Sequence, residues 1–152
     1  ENIKNLTVVK EFNIQPAKDT ATRYYELKYT LEFDLKDHTG NVIYPKGFTF
    51  NPLMYIRLNG MFVFFDADSI TQLNWLKKGG YTERIDVTFI AVKGNIINAE
   101  KFLKVPVYKA SQKMIERFNV TKIPSVIKQY QQVLEITEVG AKDVEKVARK
   151  KE

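Results

Sequence analysis

The sequence contains no cysteine. Disulfide bonds, Cys-ligated zinc and thiol chemistry are therefore closed to the chain. It holds one histidine, His38, so a nucleophilic triad or a His-rich metal site would have to rest on that residue alone. His38 stands in Asp37-His38-Thr39-Gly40, a turn sequence in which a histidine is ordinarily solvated. No apolar run approaches the ~20 residues that a membrane-spanning helix needs. The longest run, Met61 to Phe65, is the length of a strand. There is no Gly-x-Ser-x-Gly element, no Gly-rich phosphate loop and no internal repeat. The first residue is Glu1 rather than Met, as expected of a processed or trimmed product, with any signal peptide lying outside it.

What is present is an ordinary globular composition. Of 152 residues, 44% are hydrophobic and 28% charged, and a chain of this size buries a core without covalent staples. The net charge of +6 is uneven: residues 1–76 carry 8 basic and 9 acidic side chains, residues 77–152 carry 16 and 9. A basic half can attract nucleic acid or an anionic membrane face. Here the lysines are scattered among acids, the pattern of a solvated surface. Tyr24, Tyr25 and Tyr29 could stack on single-stranded nucleic acid. They lie in the acidic half, beside Glu26, Glu32 and Asp34, so no nucleic-acid partner is expected.

Residues 1–22 read as a short element and a loop. From Tyr25 to Leu35 apolar and polar residues alternate, which predicts one long strand with one buried face. Asn41 to Tyr44 returns after the 37–40 turn, and Asn51-Pro52 opens a further turn or short helix. The run Met61–Phe65 predicts a strand buried on both faces. Ser69 and Gln72 form a capping box ahead of Ile70, Leu73 and Leu76 at helical spacing, and Gly79-Gly80 ends that helix. Ile85 to Val92 is a second apolar strand, completing a βαβ unit. A short helix at 95–103, an extended piece at 105–108 and a helix capped by Ser111 follow. Strands at 126–130 and 133–139 come next, then an amphipathic basic helix at 141–152. From residue 61 the order is β-α-β, then α-β-β-α, that of the thioredoxin fold. The expected class is α/β: a thioredoxin-like domain at 60–152 and an N-terminal β appendage at 1–59.

Two segments carry candidate chemistry. Phe118 to Val126 resembles the thioredoxin segment in which a helix ends and an Ile-Pro-Ser turn opens a strand pair. In that family the proline is cis, a state found in only about 5–6% of X-Pro bonds, and the resemblance extends this to Ile123-Pro124. Redox members place a Cys-x-x-Cys pair at the first helix N-terminus. Here Asp66-Ala67-Asp68-Ser69-Ile70-Thr71-Gln72 offers neither half of it. Asp66-Ala67-Asp68 after an apolar strand also resembles the first motif of haloacid-dehalogenase-type phosphatases. There one Asp attacks phosphorus, the other is acid/base and Mg²⁺ lies between them. The downstream acidic pair that this chemistry needs is missing, and capping of a helix by Asp68 and Ser69 is the simpler use. The Mg²⁺-dependent phosphatase stays as the alternative reading.

Taken together the segments resemble the TraW family of F-type type IV secretion (conjugation) systems, over roughly Arg23 to Gly140. The stretches that carry this are Arg23-Tyr24-Tyr25, Asp37-His38-Thr39-Gly40, Tyr44-Pro45-Lys46-Gly47 and Asn51-Pro52-Leu53. Phe64-Phe65-Asp66-Ala67-Asp68, Pro106-Val107-Tyr108, Arg117-Phe118-Asn119-Val120, Ile123-Pro124-Ser125-Val126 and Leu134 to Glu138 complete the set. The family usually has Gly where Asn119 stands, so a left-handed backbone is expected there, which Asn tolerates. The resemblance implies a periplasmic pilus-assembly protein that acts with a TrbC-like partner, without catalysis or cofactor. Cysteine-free thioredoxin-like folds keep a groove beside the Ile-Pro turn that accepts an extended chain by strand addition. The partner-binding residues expected on that basis are Asp68, Ser69, Ile70, Thr71, Ile123, Pro124 and Ser125. Gly47, Asn51, Pro52, Asn119 and Pro124 are expected to be structural.

Overall fold

The computed structural model describes residues 8–9 and 12–151. The remaining parts of the 1–22 element and of the 141–152 helix lie outside the described residues.

One mixed sheet organises the chain. At its centre is β8 (Met61–Asp66), paired in parallel with β9 (Val87–Asn95) and antiparallel with β12 (Ser125–Tyr130). β12 turns through Gln131-Gln132 into β13 (Val133–Glu138), and β13 pairs with β3 (Ala21–Tyr25) at one edge. On the other side β10 (Val107–Lys109) runs parallel to β9. The two-residue β1 (Val8–Val9) is antiparallel to the end of the same strand and adds a seventh strand to the six.

β8 shows why the central strands read as continuous apolar runs. Alternate side chains point to opposite faces, and both faces are covered. Val63 and Phe65 enter one core with Leu73, Trp75, Leu103 and Val144. Those residues come from α1 (Ile70–Lys78), α2 (Ile96–Leu103) and α4 (Ala141–Ala148). Phe64 enters the other core with Ile127 and Ile136, against Phe118 and against Met114 and Ile115 of α3 (Gln112–Arg117). Each fully buried Phe or Ile contributes about 1.5–3 kcal/mol by leaving water.

The helix starts follow local chemistry. Ser69, Asn95 and Ser111 each accept a hydrogen bond from the amide three residues on, so three helices begin at side-chain caps. The Ser69 capping box is only half made. Gln72 turns its Oε1 to the amide of Asp66 at 2.8 Å instead of back to Ser69, tying the helix to the end of β8. The second apolar strand starts at Val87 rather than Ile85, whose side chain is fully exposed.

The long alternating strand is broken into three. β3 ends at Tyr25, opposite Leu134 near the start of its partner β13. Beyond it the chain leaves the sheet as an arm. There β4 (Tyr29–Thr30) pairs with β7 (Thr49–Phe50), and β5 (Leu35–Lys36) with β6 (Val42–Tyr44). Two-stranded ribbons have too little opposing surface to bury an apolar face. Phe33 is accordingly 78% exposed and Leu35 lies half open. Gly47, at φ 91°, makes the turn that returns β7 toward β4, and its amide donates to Leu31 O at 2.9 Å. Buried Asn51 closes the arm. Its Oδ1 accepts from Leu53 N at 2.9 Å ahead of a 3-10 turn at Pro52–Met54, and its Nδ2 donates to Gln132 O at 2.8 Å.

Candidate functional site

The two candidate segments meet at one end of the sheet. The Asp66–Thr71 turn sits at the C-terminal end of β8. Asp66 Oδ1 accepts from Asp68 N, and Asp68 Oδ1 accepts from Asn95 N, both at 2.9 Å. Gly94 makes room for this contact: at φ 95° its missing Cβ would lie 2.5 Å from Asp68 N. The Asp66 carboxylate thus closes the turn on itself, and that of Asp68 ties it to the end of β9. Among the described residues no three Asp, Glu or His side chains gather as a metal set, and that geometry lends the phosphatase reading no support.

The facing segment is built from the end of α3. Asn119 takes a left-handed backbone at φ 54°, and its side-chain oxygen accepts from the Arg23 guanidinium. Arg23 also lies 3.6 Å from Glu138, which accepts from Thr121 Oγ1 at 2.9 Å. Edge strand β3 and the turn after α3 are thereby fastened together. β11 (Lys122–Ile123) follows, the Ile123-Pro124 peptide is cis, and Ser125 Oγ donates to Lys122 O at 2.6 Å.

Of the seven residues expected to meet a partner, Ser69, Thr71, Ile123 and Pro124 line one small cavity of about 150 Å³. Asp68 and Ile70 are exposed and do not line it, whereas Ile123, Pro124 and Ser125 are buried. What buries them is the chain itself. β2 (Gln15–Pro16) runs parallel to β11, with Lys122 opposite Gln15 and Ile123 opposite Pro16. Ala17 N donates to Ile123 O at 2.9 Å, Ala141 N to Ala17 O at 3.1 Å and Gly140 N to Thr20 Oγ1 at 2.8 Å. Ile14 and Ala17 are buried there. Sequence reading missed this segment because Asn13 to Asp19 shows no period. The available signal was its content of Ile14, Pro16 and Ala17, small or apolar residues fit to pack in extended form.

A second feature escaped the sequence: the arm carries a ladder of rings. Tyr44, Phe48, Phe50 and Tyr55 follow one another at centroid distances of 4.7, 6.1 and 5.9 Å, and Tyr29 joins Phe50 at 5.7 Å. The Arg117 guanidinium lies over the Tyr29 ring at 4.8 Å.

The fold and site define a mixed α/β protein with a cysteine-free helix cap facing a cis-proline turn. Among known proteins, 105 residues, 68% of this chain, align at 26% identity with Protein TraW of Escherichia coli (strain K12). The relationship is distant, and the chain spans about half the length of that protein. No protein-family model and no solved structure matches. No helix among the described residues is long and apolar enough to cross a membrane.

Proposed function

We propose that the chain is a non-catalytic, periplasmic assembly component of an F-type type IV secretion (conjugation) machine, working by protein-protein contact with a TrbC-like partner. The observation that carries this reading is the alignment with TraW over two thirds of the chain. Residues 60–152 form the thioredoxin-like unit in this proposal. Its support is the sheet order β9-β8-β12-β13 with only β8 and β9 parallel, and α1 and α4 on one face with α3 on the other. Residues 1–59 are its appendage. The absence of cysteine argues for a structural use of that fold, since thiol exchange has no substitute side chain.

The strand-addition site beside Ile123-Pro124-Ser125 is part of the proposal, with residues 15–17 as its occupant in cis and Asp68 to Thr71 as the rim left to a partner. Calorimetric titration of the TrbC-like protein of the same transfer operon into this chain tests the assembly role. A saturable complex of micromolar affinity or tighter is expected; no heat of binding and no co-elution would refute it. Replacement of Thr71 by Arg tests the rim separately, because an unchanged affinity would remove the rim from the interface.

A further inference from the structure

With the strand edge beside Pro124 taken by residues 15–17, a partner needs surface beyond the Asp68–Thr71 rim. We infer that the aromatic face of the arm, where it meets the end of α3, is the main docking surface for an acidic, apolar segment of the assembly partner; this rests on the assembly reading above.

Three adjoining depressions form this face, with volumes of about 490, 770 and 190 Å³. Tyr55 lines all three, Phe50 lines the first and third, and Ile56 the first and second. Tyr55 is 71% exposed and Ile56 59%. Single exposed apolar residues are ordinary, but a contiguous apolar run rimmed by polar groups marks an interaction site. Aromatic anchors also supply most of the affinity in protein interfaces.

Charge identifies the occupant. Lys28 and Arg117 line the first depression and Arg57 the second, and no carboxylate lines any of the three. All three cations are exposed, and among the described residues none is within ion-pair distance of a carboxylate. An extended or helical segment with apolar anchors for the rings and acids for the three cations complements this face. A second copy of the chain is a poor fit, since it brings a net charge of +6. Nucleic acid suits rings beside cations, yet it carries a phosphate at every nucleotide and would set some of them against Glu26, Glu32 and Asp34, exposed on the same arm, whereas a protein segment can place its acids opposite Lys28, Arg57 and Arg117 alone.

The test titrates the TrbC-like protein into the wild-type chain and into Tyr55→Ser, Arg117→Glu and Arg57→Glu variants. All three sites are exposed, so the variants are expected to match the wild type in circular dichroism and unfolding midpoint. A tenfold or greater loss of affinity for Tyr55→Ser and Arg117→Glu, with a weaker salt dependence in the two charge reversals, is the expected result. Wild-type binding with all variants within twofold overturns the docking face and leaves the assembly role standing. No binding by the wild type overturns the assembly role and the docking face with it. Tight binding of a labelled oligothymidine strand that these same substitutions abolish overturns the protein occupant.

Discussion

Gly140 offers the sharpest test of how residues 14–20 are held. Its φ of −70° and ψ of 157° suit any residue, so only space requires glycine there. A Cβ would stand 2.7 Å from both Lys18 O and Asp19 C, and these are backbone atoms that a rotamer change cannot move. In Gly140→Ala either α4 or residues 17–20 must retreat. α4 is anchored through buried Val144, so the extended segment is the part that yields. Its attachment includes four hydrogen bonds, the three given above and one from Thr20 Oγ1 to Asp143, each worth about 0.5–1.5 kcal/mol net, and the burial of Ile14 and Ala17, together about 2–4 kcal/mol. Ordering half a dozen residues costs about 1–2 kcal/mol each, so the segment closes with little to spare. Overpacking of about 1–3 kcal/mol should therefore open it, speeding exchange of the Ala17 and Ala141 amides by about 5- to 150-fold. Hydrogen exchange followed by mass spectrometry reads this directly. Amides of β8 and β12 should keep their protection. Exchange at Ala17 within twofold of wild type, or an equal acceleration across the sheet, would refute this account of the latch.

Asn51→Ala removes an acceptor for Leu53 N and a donor to Gln132 O at a buried position; a loss of about 1–3 kcal/mol in urea unfolding is expected. Ser69→Ala removes the α1 cap and should cost about 0.5–2 kcal/mol in the same assay. Asp37 is held below the ordinary carboxylate range, chiefly by the Thr39 hydroxyl and then by the Asn41 amide. Because its folded pKa is depressed, its contribution to the 37–41 turn is present above the unfolded value and lost as pH falls through the folded one. Following the Thr39 and Asn41 amides by NMR should give a midpoint below ~3.9, and a midpoint at or above it would contradict the contacts.

The part of the fold that could be read from residues is the part whose signal is local. Met61–Phe65 announced a doubly buried strand, and Ser69 and Ser111 announced helix starts, because run length and cap chemistry act within a few residues. Tyr25 to Leu35 misled because period 2 reports alternation and not the extent of the opposing surface. The same alternation serves β3 in a large sheet and β4 and β5 in small ribbons. Arg23 with Asn119 and Asn51 with Gln132 were beyond reach, since each joins residues far apart in the chain. The ring ladder was hidden for the same reason: Tyr29 and Phe50 meet only when β4 pairs with β7, and Tyr44 joins them only when the β5–β6 ribbon between those strands forms.

The first-made strands of this chain are the last that can be placed. Thr22 meets Thr137 across 115 positions, and Thr20 meets Asp143 across 123. Synthesis runs from the N-terminal end, so residues 14–25 emerge long before β11, β13 and α4 exist. Contacts of such span form late. For that interval the outer edge of β13 and the edge of β11 stand open, rows of unpaired backbone groups of the kind to which another strand can add. Both edges are thus closed only by contacts that span more than a hundred positions, and the order of emergence sets how long they wait.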